Sequence, residues 1–408
     1  MDFKVFFSHS IAHVQIRGII RVEQKLIMEL EKEVLYKACV LTSHGDDLTD
    51  ETRRLKLSEL GADEVLIRTK AAGVCHTDVH FWHGNYQVGK TKDQVVSFSE
   101  RGISLPRVPG HEIAGEVYAV GTQAMKESRL TIGDRVLVYP WAGCGKCALC
   151  EAGNPHMCSV SGQDLGLIRD GGFSEFVRVP NHRYVFKLPD VVSYEMGALL
   201  PCGALTAYSA VKKLRPVVEE IAQVQKLEVT VGVIGLGGVG QWSLKLLQCV
   251  YKDKPIRVIG IDISQAKIDH VLKQGLVQST FLLDVDKEQT DEFLAKFDNQ
   301  RFHCVMDFVN TTETFRFATS LLSSSGLLVC VGLHGGLGEI QLPFLVLGCI
   351  TITGMYTGSL TSMKELLDIV TSCSLGPPTI THYPLHEATK ALQDLEKGKV
   401  MGRGILTF

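Results

Sequence analysis

The stretch VGVIGLGGVGQWSLKLLQCV, residues 231–250, carries the strongest signal for the fold. Three of its glycines stand in the spacing G-x-G-x-x-G, between an apolar run typical of a strand and an amphipathic helix. The first glycine permits a tight turn, the second lets the backbone approach a pyrophosphate, and the third lets helix and strand pack closely. A plain glycine turn is the alternative, because the motif alone is weakly specific. The predicted phosphate-binding turn comprises Gly235, Gly237, Gly238, Val239 and Gly240.

The next strand-like run supports a dinucleotide site. IRVIGID ends in Asp262, about 20 residues after the last glycine, where a carboxylate can accept hydrogen bonds from an adenosine ribose. An acid at this position would repel a 2′-phosphate, so NAD is favoured over NADP. A solvated acid at a strand end is the alternative.

Apolar runs alternate with helix-compatible segments through the second half of the chain, which predicts a parallel sheet covered on both faces. The runs are VTVGVIG, IRVIGID, FHCVMDFV, LLVCVGL and ITITGMY. Residues 35–189 instead show short β-branched runs separated by glycine and proline, which predict a folded-over β domain. The chain end, with a helix around LHEATKALQDLEKG and a strand GILTF, is expected to rejoin that domain.

Composition limits the function classes. The chain has 408 residues and a net charge of −3, which argues against nucleic acid or a membrane surface as partner. No apolar run reaches the roughly 18 residues that span a bilayer. Twelve cysteines without a secretory signal indicate a reducing compartment where thiols serve metals or cores, and the cytoplasm is the predicted location.

The N-terminal residues 1–35 form a predicted extension with a weak helical period in VEQKLIMELEKEV. A transit peptide is disfavoured, because such peptides are poor in acidic residues. The acidic residues that argue against a transit peptide are Glu23, Glu29, Glu31 and Glu33.

The sequence CGKCALCEAGNPHMC places four cysteines on one short lobe as C-x2-C-x2-C-x7-C. Four thiolates at this spacing predict a closed tetrahedral zinc site that stabilises the fold. An iron–sulfur cluster is the competing interpretation, but the spacing differs from that of bacterial ferredoxins. Four buried thiols without metal are a further alternative. The predicted ligands are Cys144, Cys147, Cys150 and Cys158.

A second group of metal-binding residue types lies in GVCHTDVHFWHG, residues 73–84. Cys75 and a neighbouring histidine would not hold a metal alone, and candidate partners lie in VPGHEIAGEV and LPCGALTAY. A set of two cysteines and one histidine with a free position describes a catalytic zinc, for which alcohol dehydrogenase is the standard example. Spacing alone does not bring such distant residues together.

Seven stretches carry a resemblance to a known family. They are AAGVCHTDVHFWHG, VPGHEIAGEV, GDRVLVYPWAGCGKCALC, LPCGALTAYSAV, VIGLGGVG, IGIDIS and GRGIL. In this order, from about residue 36 to the end, the chain resembles the zinc-dependent alcohol dehydrogenases of the medium-chain dehydrogenase/reductase family, of the microbial and archaeal type. The resemblance implies an α/β protein with a GroES-like β-rich catalytic domain and a Rossmann domain with a doubly wound parallel sheet. The implied division is 36–190, completed by 353–408, for the catalytic domain and 191–352 for the Rossmann domain.

The resemblance also implies which residues hold the catalytic zinc. Cys75, His111 and Cys202 match the family ligands, with Asp78 and Glu112 beside them. The counterpart of Glu112 in this family can approach the metal itself. One catalytic zinc, one structural zinc and NAD are therefore the implied cofactors.

Proton transfer and cofactor contacts are implied in the same way. Thr77 resembles the first proton acceptor and His80 the outer relay base, and a histidine suits that position because it titrates near neutral pH. Lys267 resembles a ribose contact, while Arg403 and His76 resemble pyrophosphate contacts. Without the family, a turn hydroxyl, a surface histidine and surface charges are the plainer interpretations.

The aromatic and cysteine residues outside these sets each have more than one possible role. Trp82 and Tyr86 resemble residues that line the substrate pocket, although core packing explains them equally well. The other cysteines lie mostly in apolar runs and are interpreted as core thiols. They are Cys39, Cys249, Cys304, Cys330, Cys349 and Cys373.

The expected function is reversible oxidation of a primary or secondary alcohol to an aldehyde or ketone, with hydride transfer to NAD. A polyol or sugar dehydrogenase of the same family is the alternative, mildly disfavoured by Cys202 because that subfamily often has glutamate as the third ligand. A non-catalytic relative is the alternative from another class. A homo-oligomer, dimer or tetramer, is expected through the edge strand near ITITGMY.

Overall fold

The structure is a computed structural model that describes residues 33–89, 91 and 93–408. The predicted helix in VEQKLIMELEKEV lies almost wholly outside these residues. Glu33, Val34 and Leu35, predicted as the end of an extension, instead begin the first strand. They are extended because this strand pairs with the next one along its whole length and so satisfies its backbone groups.

The first half of the described chain is rich in short strands. The strands are β1 Glu33–Val40, β2 Thr49–Lys56, β3 Val65–Val74, β4 Asn85–Gln87, β5 Val95–Ser97, β6 Glu112–Val120, β7 Arg135–Val138, β8 Phe176–Val179 and β9 Val185–Lys187. The α-helices between them are α1 His76–His83, α2 Thr122–Glu127 and α3 Ala148–Glu151. Short 3₁₀ turns cover Leu57–Glu59, Pro155–Met157 and His182–Tyr184.

The second half alternates strands with helices. The helices are α4 Tyr194–Leu199, α5 Leu205–Lys213, α6 Arg215–Glu219, α7 Gly238–Val250, α8 Gln265–Lys273, α9 Thr290–Lys296, α10 Thr312–Ser320, α11 Leu342–Leu347, α12 Leu360–Ser372 and α13 Ala388–Glu396. The strands are β10 Val229–Ile234, β11 Ile256–Asp262, β12 Ser279–Leu282, β13 Phe302–Asp307, β14 Leu322–Cys330, β15 Thr351–Gly354, β16 Ile380–Pro384 and β17 Arg403–Thr407. Single π-helical turns cover Leu200–Ala204 and Glu220–Val224, and a 3₁₀ turn covers Leu385–Glu387.

Six parallel strands form a sheet in the order β12-β11-β10-β13-β14-β15. β10, the first of these six strands in the chain, thus lies in the middle of the sheet. The strand order reverses between β10 and β13. This is the doubly wound dinucleotide-binding topology, so the predicted fold class is confirmed. The prediction missed β12, because Ser279 and Thr280 break up the apolar signal of a four-residue strand.

Seven further strands form a mixed sheet in the order β16-β17-β3-β6-β7-β9, with β8 also paired to β3. The chain end returns to this sheet, where β17 pairs antiparallel with β3 from Gly404 opposite Val74. The predicted boundary at residue 352 falls inside β15, a strand of the parallel sheet. The predicted division into 36–190 and 191–352 otherwise stays a prediction.

The six cysteines interpreted as core thiols differ in their burial and in their pairing. Cys39 and Cys304 are buried as predicted, whereas Cys330 is half-buried and Cys349 is exposed. The prediction is also wrong for Cys249 and Cys373, which form a disulfide between α7 and the end of α12. Apolar neighbours in sequence did not indicate burial here, because both residues stand at helix ends.

No helix in the described part of the chain combines the length and the apolarity needed to cross a membrane.

Candidate metal centres and nucleotide-binding turn

The predicted catalytic ligand set is assembled from three separate chain segments. Cys75 is the N-cap residue between β3 and α1, His111 precedes β6, and Cys202 lies in the π-helical turn Leu200–Ala204. Glu112 is the first residue of β6. One ligand atom from each of these four residues lies within 4.8 Å of the others, and all four residues are buried.

The donor set fits a zinc ion. The sulfur atoms of Cys75 and Cys202 lie 3.9 Å apart, and His111 Nε2 lies 3.2 Å from the Cys202 sulfur. A tetrahedral zinc with Zn–S bonds of about 2.3 Å places two sulfur atoms about 3.8 Å apart. Two thiolates and one imidazole leave one position of a tetrahedron for another ligand, as in catalytic zinc sites.

Asp78 joins the Cys75 segment to the His111 segment. Its Oδ2 accepts the backbone N–H of Cys75 at 2.9 Å, and its Oδ1 accepts the backbone N–H of Gly110 at 3.2 Å. Oδ1 also lies 2.9 Å from His111 Nδ1. A hydrogen bond from Nδ1 fixes the tautomer and leaves Nε2 as a free donor of electrons to a metal.

Glu112 connects the ligand set to Arg403. Its Oε1 accepts a hydrogen bond from Arg403 Nη2, whereas its Oε2 is buried without a partner among the described residues. Burial raises the pKa of Glu112 to about 7. A buried carboxylate oxygen without a partner costs free energy, so Oε2 is available to a cation beside the two cysteines.

The thiols of the ligand set polarise each other. The hydrogen bond between the two sulfur atoms lowers the pKa of Cys75 well below its usual value and raises that of Cys202. His111 adds to the lowering at Cys75. A thiolate is the form that binds metal, so this environment favours the ligating state of Cys75.

The four cysteines of the lobe also converge. Cys144 Sγ lies 4.0 Å from Cys150 Sγ, and Cys147 Sγ lies 3.9 Å from Cys158 Sγ. All four sulfur atoms fall within 4.8 Å of one another. Burial works against ionisation of Cys158, but backbone groups that include the Cys144 amide lower its pKa to about 6. Four sulfurs at these separations match a closed zinc site.

The glycine turn has the predicted geometry. Gly235 has φ +88°, a left-handed conformation that an L side chain rarely adopts. A Cβ on Gly240 would overlap the Gly235 carbonyl oxygen, so the third glycine permits the close packing of α7 on β10. Gly237 is the N-cap of α7 and has open space where a side chain would be. The N-terminus of α7 is therefore open to a pyrophosphate.

Asp262 ends β11 beside this turn. Its Oδ2 accepts the Leu236 N–H at 2.7 Å and its Oδ1 accepts the Ser264 N–H at 2.9 Å. The carboxylate therefore fixes the turn, and each oxygen keeps a second lone pair for a ligand. The solvated-acid alternative is wrong, since Asp262 is buried.

Three basic side chains lie near enough to His76 to act on its charge. Arg403, His334 and Lys267 all act on the charge of His76, and burial together with these cations lowers the pKa of His76. Arg403 is buried, and its stem would clash with a Cβ on Gly238. The surface-charge alternative is therefore wrong for Arg403. The sequence analysis missed His334, because no motif surrounds it.

The predicted relay residues lie on α1. The Thr77 hydroxyl lies near the Tyr86 hydroxyl, and the ring of Tyr86 lies 4.7 Å from that of His80. Burial, followed by repulsion from His76, lowers the pKa of His80 to about 4. The expectation that His80 titrates near neutral pH is therefore wrong, because partial burial disfavours its charged form.

The aromatic residues are sorted by their contacts. Trp82 is buried in the core and donates from Nε1 to the Asp46 carbonyl at 2.6 Å, which supports the core-packing interpretation. Tyr86 lies beside the relay residues instead. The sequence analysis missed Trp141, whose ring lies 5.1 Å from that of His111, and Tyr356, 5.6 Å from Trp141. Only their positions in the fold distinguish them from core aromatics.

Comparison with known proteins places the chain in a family. Residues 61–190 match the alcohol dehydrogenase GroES-like domain, and residues 238–372 match the zinc-binding dehydrogenase domain. An NAD-dependent alcohol dehydrogenase of Sulfolobus acidocaldarius is 31% identical over 91% of this chain and 99% of that protein. A D-arabinose 1-dehydrogenase (NADP(+)) of Saccharolobus solfataricus is 28% identical over 93% of this chain and 100% of that protein.

A solved structure agrees with this placement. The alcohol dehydrogenase of Aeropyrum pernix superposes with a TM-score of 0.75 at 28% identity, over 91% of this chain and 100% of that one. Together with the two metal-ligand sets and the doubly wound sheet, these matches mean that the chain belongs to the zinc-type alcohol dehydrogenases of the medium-chain dehydrogenase/reductase family.

Proposed function

We propose that the protein is an NAD-dependent zinc alcohol dehydrogenase that oxidises a primary or secondary alcohol to an aldehyde or ketone, reversibly. The observation that carries this proposal is the convergence of Cys75, His111 and Cys202 beside Glu112 and Arg403. Two thiols, an imidazole and a carboxylate with one unpartnered oxygen form a buried donor set that suits one divalent cation.

Each cofactor has a place defined by side chains of this chain. Cys75, His111 and Cys202 would hold the catalytic zinc, with Glu112 as an additional donor, and the four cysteines of the lobe would hold the structural zinc. When bound, the catalytic zinc supplies a Lewis acid for the alcohol hydroxyl, and NAD supplies the hydride acceptor.

Thr77, Tyr86 and His80 would move the proton of the alcohol. The Thr77 hydroxyl lies near the Tyr86 hydroxyl, and His80 packs against the Tyr86 ring. With its pKa near 4, the His80 imidazole is neutral at physiological pH and is too weak a base to hold the proton, so it would pass the proton on. These residues would therefore relay the proton along a path that begins two residues after Cys75.

The nucleotide would lie across the glycine turn. Gly237 and the N-terminus of α7 are open to the pyrophosphate, and Lys267 and Arg403 add positive charge near His76. Because its pKa is lowered, the His76 ring is neutral and can donate a hydrogen bond to the pyrophosphate. The buried Asp262 carboxylate favours a ribose with a free 2′-hydroxyl. We therefore assign NAD and not NADP as the cofactor.

The edge of the parallel sheet offers a surface for a second copy. β15 is the last strand of this sheet, and α11 just before it has no buried residue. Leu342, Val346 and Leu347 are 68%, 71% and 84% exposed. An apolar patch beside an open strand edge favours association, and light scattering of Val346→Glu against wild type tests whether this face holds a homo-oligomer together.

A sugar or polyol dehydrogenase is the second candidate, favoured by the likeness to the D-arabinose 1-dehydrogenase. The residues around the ligand set point to a less polar substrate, because Trp141 stands beside His111 and Tyr356 stands beside Trp141. A non-catalytic role has no support in the ligand set, since none of the predicted ligands is displaced from it.

The test combines metal analysis with turnover. Wild type is expected to contain two zinc ions per chain and to reduce NAD with simple alcohols faster than with sugars. Cys75→Ser is expected to lose one zinc and the activity, whereas Cys349→Ser, at an exposed cysteine outside both ligand sets, should match wild type. Undiminished zinc-dependent turnover in Cys75→Ser would overturn the proposal.

A further inference from the structure

A separate cavity of about 370 Å³ lies in the β-rich half, under the β1–β2 hairpin and against β3 and β8. Its volume falls within the range of roughly 300–1,000 Å³ that is usual for small-molecule sites. None of its lining residues belongs to the metal, relay or nucleotide sets described above. Its occupant would therefore differ from the alcohol and the dinucleotide.

One side of the cavity is apolar. Leu55, Leu66 and Val177 line it with buried side chains. The rings of Tyr36 and Phe176 meet edge to face, with centroids 5.9 Å apart. Such a surface suits the apolar body of a ligand, because it offers contact area without hydrogen-bonding demands.

The other side is charged and carries an excess of positive charge. Arg107, Arg169 and Arg178 face Glu64 and Asp170, so three guanidinium groups stand against two carboxylates. The difference is one positive charge. A ligand with one negative charge would therefore neutralise the lining.

Two of the arginines already have a close partner. Arg169 Nη1 donates to Glu64 Oε1 at 3.0 Å, and Arg178 Nε donates to Glu64 Oε2 at 3.0 Å. The Gly61 N–H also donates to Oε2, at 2.9 Å. Glu64 is thus already paired with two of the three arginines of the lining.

Arg107 is the cation that lacks a good partner. Its Nη1 lies 3.5 Å from Asp170 Oδ1 and its Nη2 lies 3.4 Å from the Ser104 carbonyl, both at the long limit of hydrogen bonding. Its Nε is buried with no partner among the described residues. Asp170 is engaged more closely by Arg53 Nη1, at 2.7 Å. Buried donors left unpaired cost free energy that a ligand could recover.

We propose that this cavity binds a small carboxylate with an apolar body, its carboxylate paired with Arg107. The guanidinium fork matches a carboxylate in shape and charge, and the apolar wall receives the rest of the molecule. Inorganic phosphate fits less well, because it carries more charge than the excess of the lining and has no apolar part. The proposal does not depend on the dehydrogenase activity.

The test is calorimetric titration of the full-length protein with octanoate and, separately, with octanamide. Wild type is expected to bind octanoate at least tenfold more tightly than the uncharged amide. Arg107→Gln should weaken octanoate binding at least tenfold. Arg54→Gln is the matched control, because this neighbouring arginine on β2 is exposed, pairs with Glu33 and lies outside the cavity lining. It should bind octanoate as wild type does.

A second variant protects the test against misfolding. If Arg107→Gln unfolds in a thermal scan, Arg169→Gln removes another cavity cation and should also weaken octanoate binding. Equal affinity of wild type and the folded cavity variant would overturn the proposal, because the carboxylate would then bind elsewhere, for example at the metal centre. Equal affinity for acid and amide, or a Kd for octanoate weaker than about 1 mM, would overturn it as well.

Discussion

The two metal-ligand sets are built in opposite ways. In the lobe, Cys144 and Cys158 are 14 positions apart and the other two ligands lie between them. In the catalytic set, Cys75 and Cys202 are 127 positions apart. A local set can close around a metal with little help from the rest of the fold, whereas the distant set exists only when both sheets are in place. The lobe should therefore govern stability and the catalytic set should govern activity.

The largest expected effect tests the catalytic side of this comparison. His111→Ala removes the only imidazole of the ligand set, so turnover should fall by more than the roughly hundredfold that is typical of losing an outer-shell partner. Steady-state kinetics and zinc analysis measure it. The control His382→Ala changes an exposed histidine paired with Glu195 and should keep wild-type kcat and zinc content. Intact turnover in His111→Ala would contradict the assignment.

The matching experiment on the lobe is Cys147→Ser. Since a closed zinc site contributes directly to folding, the free energy of unfolding should drop by about 3 kcal/mol or more, a size that is typical of losing a metal site. Thermal unfolding and zinc content are the measurements, with Cys349→Ser as the control cysteine. A variant with one zinc and unchanged stability would mean that the lobe does not stabilise the fold.

Asp78→Asn tests how the distant set is held together. Asp78 joins Cys75, Gly110 and His111, so its loss should reduce zinc affinity or activity by about 10- to 100-fold. Competition with a chelator measures the affinity. Asp63→Asn, at an exposed position near β3, serves as the control. If both variants behave alike, Asp78 does not position the ligands.

Asp262→Asn gives a smaller effect, confined to cofactor choice. Without the carboxylate, repulsion of a 2′-phosphate falls, and the ratio of kcat/KM for NADP to that for NAD should rise about tenfold, or about 1.4 kcal/mol, a modest value for a close charge pair. The asparagine oxygen can still accept one of the two backbone N–H groups that Asp262 binds. An unchanged ratio would contradict the role of Asp262 in excluding NADP.

The smallest effect concerns Glu64, an ion-paired carboxylate outside both metal sets. Burial opposes its ionisation, but the Gly61 amide and the guanidinium groups of Arg178 and Arg169 outweigh it and lower the pKa of Glu64 from 4.5. A lowered folded-state pKa stabilises the protein above the unfolded pKa, and this contribution is lost as the pH falls below 4.5. Thermal unfolding should therefore show Glu64→Gln as less stable than wild type at pH 7 and closer to it at pH 3.5. A difference that stays constant with pH would contradict this linkage.

Local signals predicted the parts of the molecule that local chemistry defines. The glycine turn was predicted because Gly235 and Gly240 meet local steric requirements, the left-handed φ of the turn and the close packing of helix on strand. The spacing of the glycines in the sequence is enough to indicate both requirements. The lobe was predicted because its cysteines are neighbours in the chain. β12 was missed because four residues are too few to show a period, and the Cys249–Cys373 disulfide was missed because its partners are 124 positions apart.

The aromatic residues show where sequence reasoning stops. Trp82 stands within the segment that resembles the family, yet its indole bonds to Asp46 in the core. Trp141 was not singled out, yet it packs beside the predicted ligand His111. Both are buried tryptophans, so hydrophobicity could not separate them. Only the residues that pack around each tryptophan in the fold decide which of the two lies beside a predicted metal ligand.

The sequence by itself determined most strands of the parallel sheet, the phosphate turn and the spacing of the four-cysteine lobe, because each depends on residues close together in the chain. The tertiary structure decided that Cys75, His111 and Cys202 meet, that Arg403 joins Glu112 to the nucleotide turn, and that Arg107, 3.5 Å from its carboxylate partner Asp170, borders a cavity. The physical reason is that sequence spacing limits distance only over a few residues, whereas burial and pairing between distant segments depend on how the sheets pack.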